Sequence, residues 1–274
     1  MKKVVKSCGC ALALAALVVI GACGGGGSPK KSSGGGASAP KPAAGSSAAQ
    51  APAPAKLDFA NTGGVKGLAK FDGQAPAPRK LDVSKDPWCS KNHDNVMSEE
   101  LVVDVNGNLR DVVAYVVGLE KYSKDIPVPA DNARFEQKGC RYIPHVLAVR
   151  AGQTVDIVNA DDISHNYHFR GKRNDEINQT QPKPGTDNVT FKRGEMNAVF
   201  SCDIHPWMGA KVHIFEHNSF AVSAADGSFE IKGVPAGNWK VAFVHETAKA
   251  VVAEMDVVVT AGQVKDVGTV TFKK

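Results

Sequence analysis

Beyond about residue 61 the apolar residues of this chain come in short runs rich in Val, Ile and Phe, alternating with polar residues and cut off by Gly, Pro, Asn and Asp. A repeat of two buries one side of an extended strand and wets the other. No segment reads as a long amphipathic helix. The fold class is therefore all-β, with sheets that must bury their apolar faces against one another. The clearest runs are Val65 to Phe71, Leu101 to Val105, Leu109 to Val117, Val146 to Arg150, Thr154 to Asn159, Asn197 to Cys202 and Lys211 to Phe215. Asn106-Gly107 lies between two of them and predicts a hairpin turn. A faint internal echo, Ala151-Gly152-Gln153 and Ala261-Gly262-Gln263, reads as one turn used twice rather than a duplicated domain. With 43% hydrophobic residues in 274, a packed core is expected, in one large domain or two small ones.

The first sixty residues have a different character. Lys2, Lys3 and Lys6 precede an apolar run from Ala11 to Ile20 and the small residues Gly21 and Ala22, the three parts of an export signal. The run is too short to span a bilayer as a helix of the mature protein. Ile20-Gly21-Ala22-Cys23 resembles the bacterial lipobox, which implies cleavage after residue 22 and acylation of Cys23. An ordinary cleaved signal with Cys23 incidental is the alternative. The glycine tract that starts directly after Cys23 favours lipidation, and with it a place in the cell envelope, on the periplasmic or outer-surface side of a membrane. Residues 23–61 are Gly, Ser, Ala, Pro and Lys with almost nothing to bury, and read as a flexible tether. The net charge of +5 is mild and no Lys/Arg-rich run is present, so a nucleic-acid partner is not expected.

Six cysteines divide unevenly. Cys8 and Cys10 leave with the signal and Cys23 carries lipid, so Cys89, Cys140 and Cys202 remain in the folded part. A disulfide in an oxidising compartment uses two of these and leaves one thiol to be explained. The odd one is Cys202, because of its neighbours: Phe200-Ser201-Cys202-Asp203-Ile204-His205-Pro206-Trp207-Met208 puts a thiolate, an imidazole and a thioether within one short loop. Such a set suits a soft or borderline metal, and two His with one Cys and a distant Met is the blue-copper arrangement. Cys89 and Cys140 then read as a disulfide. A second metal site there would need more ligands, and His93 and His145 are the only ones near in sequence.

One histidine is missing from the loop and should come from an earlier strand. The candidate stretch is Asp161-Asp162-Ile163-Ser164-His165-Asn166-Tyr167-His168-Phe169. If it is extended, His165 and His168 point to opposite faces, so only one of them can meet the loop.

His-Asn-x-His-Phe followed by Cys-x-x-His-Pro-aromatic-Met resembles the cupredoxins, most closely amicyanin, over about eighty-five residues from near Asp131 to Phe215. The resemblance implies a Greek-key β-sandwich holding one type 1 copper ion, with His165, Cys202, His205 and Met208 as ligands and His168 left out. It also implies that His205 presents an exposed edge as the electron port, inside an apolar patch to which Pro206 and Trp207 contribute. Trp207 as plain core is the alternative. Asn166 is similar to the family's asparagine that braces the ligand loop through a Ser or Thr after the cysteine. Here Asp203 stands there, so the carboxylate is expected to act as acceptor, and its charge beside the thiolate is expected to favour Cu(II). Lys172, Arg173, Lys192, Arg193 and Lys211 flank the motifs, either as a solvated face or as a basic rim that steers an acidic redox partner. His213, His217 and His245 read as lone surface or core residues.

Asp226 to Glu246, DGSFEIKGVPAGNWKVAFVHE, resembles the carboxypeptidase regulatory-like family, a small prealbumin-like sandwich. The expected organisation is a β extension over 62–130, a cupredoxin domain over 131–216 and a smaller sandwich over 217–274. The expected function is transfer of single electrons between redox proteins such as a cytochrome or dehydrogenase, not catalysis. Copper storage or delivery is the alternative, but such proteins tend to carry several exposed Met or His. A copper oxidase or nitrite reductase needs further histidine clusters, typically paired His-x-His, and none of the eight histidines forms such a pair.

Overall fold

The structure is a computed structural model and describes residues 57–250 and 252–274. The expected signal peptide, the lipidation site Cys23 and the tether up to residue 56 lie outside the described residues. The strands are β1 (Thr62–Phe71), β2 (Val113–Val117), β3 (Ala133–Gln137), β4 (Tyr142–Ile143), β5 (Val146–Arg150), β6 (Thr154–Asn159), β7 (His165–Arg170), β8 (Ile177–Gln181) and β9 (Gly185–Thr190). They continue as β10 (Glu195–Ser201), β11 (Gly209–Phe215), β12 (Phe220–Val222), β13 (Ser228–Pro235), β14 (Gly237–Val244), β15 (Lys249–Ala250), β16 (Glu254–Val259) and β17 (Val264–Lys273). Among the described residues the only helical pieces are one short α-helix, α1 (Pro87–Asn92), and a 3-10 turn at Leu119–Tyr122, so the fold is all-β as the alternation requires. Among the described residues no helix is long and apolar enough to cross a membrane.

Four sheets pair into two sandwiches. The base sandwich sets β13-β1-β17-β15 against β12-β2-β14-β16, with Val65, Val116, Ile231, Phe243 and Phe272 among its buried residues. The other sets β4-β3-β6-β9 against β5-β11-β10-β7-β8, and the chain passes from sheet to sheet as in a Greek-key sandwich. Its core is aromatic: Phe200 lies 4.8 Å from Phe135 and 5.4 Å from Phe169, ring centre to ring centre.

The separation of an extension over 62–130 from a C-terminal sandwich over 217–274 is corrected here. β1 lies between β13, antiparallel, and β17, parallel, while β2 lies between β12 and β14. The two segments form one sandwich, and the strands from β3 to β11 are inserted into it. The physical reason is burial, since the apolar faces of β1 and β2 need more than two strands to cover them. Strands so far apart in the chain leave no local signal of their pairing.

Smaller departures are equally local. Leu57 packs against the base core and the Phe59 ring meets Tyr122, so the end of the expected tether is folded. The expected hairpin at Asn106-Gly107 shrinks to one bridge, Val103 to Leu109. There Asp104 Oδ1 accepts the backbone N–H groups of Asn106 and Asn108 at 2.7 and 2.8 Å, an Asx-type turn that uses donors a longer ladder would need. The Ala-Gly-Gln echo is the same turn twice. Gly152 and Gly262 have φ of +88° and +71°, and Gln153 and Gln263 donate to Arg150 O and Thr260 O, as a type II turn requires.

Between β1 and β2 the chain makes a long excursion that reaches the inserted sandwich. Asp86 caps α1, its Oδ1 accepting the N–H groups of Trp88 and Cys89 at 2.9 Å each, with Pro87 opening the helix. Cys89 is disulfide-bonded to Cys140, which precedes β4. Around this bond Val83 and Val96 are buried, with Leu81, Trp88 and Trp207 packed against them.

Candidate metal centre

Strand parity builds the site. In β10 a bulge at Asn197, with φ +59°, resets the register against β11. After it Ala198, Phe200 and Cys202 alternate inward, buried to 3%, 0% and 2% exposure. In β7 the inward set is His165, Tyr167 and Phe169, all at 3% or less. Phe200 faces Phe169 and Ser201 faces His168 across the ladder, so the start of β7 and the end of β10 meet at the same edge of the core. The loop after Cys202 closes on itself, with Cys202 N donating to Met208 O at 3.2 Å and Met208 N to His205 O at 2.9 Å.

Three donor atoms converge as a result. His165 Nδ1 and His205 Nδ1 are 2.9 Å apart, and Cys202 Sγ is 3.8 Å from His205 Nδ1. Each of the three residues offers one ligand atom within 4.8 Å of the other two, and all three are buried. The Met208 side chain is buried at 2% in the same core cluster as Cys202. Burial opposes ionisation of Cys202, but hydrogen bonds from His165 and His205, with the N–H groups of Asn166 and His205, outweigh it and bring the thiol down to about 6. At neutral pH the sulfur is then a thiolate. The donor set of one soft anion and two imidazoles fits a copper ion.

His168 points away from this cluster. Its Nδ1 lies 2.9 Å from Asp203 Oδ2 and its Nε2 meets Glu176. The brace across the loop exists but differs from expectation. Asn166 Oδ1 accepts the backbone N–H of Asp203 at 3.0 Å, while the Asp203 carboxylate turns outward to His168, Asn178 and Arg170. The brace is made by the backbone N–H of Asp203 with Asn166 Oδ1 as acceptor, so the expected carboxylate acceptor is corrected.

The exposed port is also corrected. His205 is only 1% exposed, although Ile204 is 44% exposed and Pro206 is on the surface. Asp86 and Cys89 of the β1–β2 excursion lie within 4.8 Å of the imidazole, and Trp207 is half-buried against the same excursion. Its ring lies 5.0 Å from that of His205, and its Nε1 donates to Cys140 O at 3.1 Å. The basic residues do not ring the site. Lys172 and Arg173 donate through their backbone N–H groups to Glu195, and the Arg193 side chain reaches Arg173 O. That group sits at the start of β10, about 20 Å along the strand from Cys202. Lys211 pairs instead with Glu246 at 3.4 Å. His145, a possible ligand of a second site, has its Nε2 2.8 Å from Glu246, and the two cysteines it would join are bonded to each other.

Two carboxylates behind the imidazoles went unread in the sequence. Asp161 Oδ2 lies 2.9 Å from His165 Nε2, and the N–H groups of Gly139 and Cys140 donate to the same carboxylate. Burial works against the Asp161 anion, but those bonds and His165 hold its carboxyl below the usual range. Asp86 Oδ2 lies 3.4 Å from His205 Nε2. A carboxylate behind a histidine fixes which ring nitrogen faces the metal. Asp161 stood four residues before His165, a legible spacing; Asp86 offered only the signature of a helix cap.

No family model matches the chain, and no curated protein matches it. Solved structures do. The copper-containing nitrite reductase from Thermus scotoductus SA-01 is 19% identical over 34% of this chain and 26% of its own, with a TM-score of 0.30. The chain thus spans about a quarter of that enzyme. A reduced proline-to-phenylalanine mutant of amicyanin is 24% identical over 32% of this chain and 86% of its own, with a TM-score of 0.28. A purple cupredoxin from Nitrosopumilus maritimus is 20% identical over 31% of this chain and all of its own, with a TM-score of 0.27.

Proposed function

We propose that this chain is an exported electron carrier with one copper ion, held by Cys202, His165 and His205 with Met208 as a weak fourth ligand. The observation that carries the reading is the convergence of the Cys202 sulfur and two imidazoles within 4.8 Å in a buried, apolar surrounding. When bound, copper supplies reversible one-electron chemistry at such a set. The protein's part is to keep the donors in place. Met208 and Cys202 are tied through the loop backbone, Asn166 holds the loop to β7, and Asp161 orients His165. Rigid donors in a dry core let the charge change with little movement.

Redox proteins such as a cytochrome or dehydrogenase are the proposed partners, and a lipid on Cys23 the proposed anchor. The Cys89–Cys140 bond supports an oxidising compartment. Labelled palmitate appearing on the wild type but not on Cys23→Ser tests the anchor.

The decisive experiment loads copper into the chain from residue 23 onward, with Cys23→Ser to keep it in solution. An intense visible thiolate-to-copper band with a matching paramagnetic resonance spectrum is expected, and Cys202→Ser should abolish both. Copper bound without that band refutes the reading, and ready loss of Cu(I) to a chelator favours delivery instead.

A further inference from the structure

The two imidazoles are alike on the side facing away from Cys202. His165 Nε2 meets Asp161 and His205 Nε2 lies 3.4 Å from Asp86, and each carboxylate is fixed by backbone N–H groups. For Asp161 those donors are Gly139 and Cys140; for Asp86 they are Trp88 and Cys89. The disulfide joins Cys89 to Cys140. One covalent bond thus ties together both turns that aim a carboxylate at an imidazole. Its sulfurs are close as well: Cys89 falls within 4.8 Å of Asp86 and His205, and Cys140 within 4.8 Å of Asp161 and His165.

The cover is thin apart from that bond. Residues 79–98 belong to an excursion of the base sandwich and rest on the inserted one through the small cluster of Val83, Cys89, Val96 and Cys140. Their helix has six residues, far below the roughly 12–15 at which an isolated helix becomes even marginal. Beneath it, His205 Nε2 is buried with no aligned hydrogen-bond partner. That nitrogen is sealed by its surroundings rather than satisfied by them.

We propose that residues 79–98 form a disulfide-locked cover over the outer edge of His205, which closes that edge to redox partners while the Cys89–Cys140 bond is intact and opens it when the bond is reduced. The inference rests on the copper-carrier reading. Opening requires a dithiol reductant: the S–S bond breaks, two protons and two electrons make two thiols, and the dithiol leaves as its own disulfide. With the cover shut, a partner meets Ile204 and Pro206 beside the half-buried Trp207.

Two measurements test this on the chain from residue 23 with Cys23→Ser. In the first, the metal-free protein is treated with a dithiol and followed by hydrogen exchange. Loss of protection confined to residues 79–98 is expected. Unchanged protection there, or loss throughout the chain, overturns the cover. This arm needs no copper, so its failure is separate from any failure of the visible spectrum. In the second, copper-loaded wild type, Asp94→Asn and the double variant Cys89→Ala/Cys140→Ala are compared. Pulsed resonance in heavy water reads solvent access to the His205 ring, and hexacyanoferrate serves as a small redox probe. The double variant should gain solvent access and react about tenfold faster or more, in proportion to the fraction of open edges. Asp94→Asn, at an exposed position of the cover and with the bond kept, should stay within about twofold. Equal access and equal rates for wild type and double variant refute the proposal.

Discussion

Acid should weaken this protein through histidines that have nothing to do with copper, and His213 is the cleanest case. It lies on β11, 3% exposed, with its Nδ1 buried and unpartnered. Burial, with a smaller push from Lys211, lowers its pKa from 6.5 to about 4. A histidine lowered in the fold is neutral there while the unfolded chain takes up a proton. Its contribution is therefore complete above about pH 6.5, erodes as pH falls and is fully lost near pH 4. From those two values the loss at about pH 5 comes to ~2 kcal/mol, against nearly nothing at about pH 7.5. That is a large fraction of a typical folding stability of ~5–15 kcal/mol. His213→Leu removes the proton acceptor, and any packing change it brings is the same at every pH. Urea unfolding of the metal-free chain, followed by tryptophan fluorescence at about pH 7.5, 6 and 5, should show wild type losing ~2 kcal/mol more than the variant. A difference between the two proteins that stays constant across the series refutes the reasoning. His217 and His245 are lowered to about 4 by burial as well, so the variant should keep part of the slope.

Other outcomes follow from geometry already described. Phe200→Ala empties the centre of the aromatic core, where the ring is fully buried, and should cost about 3–5 kcal/mol in denaturant unfolding. Asp161→Asn keeps the size but removes the anion behind His165, and should weaken copper binding about 10–100-fold in a chelator competition; unaltered affinity would count against its orienting role. Asp203→Asn removes a negative charge one residue from Cys202 and should raise the reduction potential. The rise should be modest, because Arg170 and His168 already face that carboxylate. A voltammetric value that is unchanged or lower would show the charge argument to be wrong.

The candidate site was legible where the chain itself enforces proximity. Cys202, His205 and Met208 share one short loop, so almost any fold brings them close. His165 was reachable through strand parity, which sets it with Tyr167 and Phe169, together with the family resemblance that chose it over His168. What stayed hidden was everything supplied from a distance. The pairing of β1 with β13 and β17 depends on shared burial between ends of the chain, and period-two alternation is the same whichever strand lies alongside. The buried state of His205 was misread for a related reason: the resemblance covers a bare site, while the cover comes from residues outside it. Asp86 illustrates the limit well, since one side chain both caps a helix and faces an imidazole, and only the first role has a local signature.

β2 and β12 are hydrogen-bonded neighbours, with Tyr115 opposite Phe220. The stretch that carries all the candidate ligands therefore leaves the base and returns to it at adjoining points. A guest attached at two adjoining strands is set beside its host by both connections at once, and Val113 of the base is buried there with Val146 and Phe215 of the insert. The same geometry makes the guest separable in principle: a tight turn in place of residues 118–219 would leave the host's own strand neighbours unbroken.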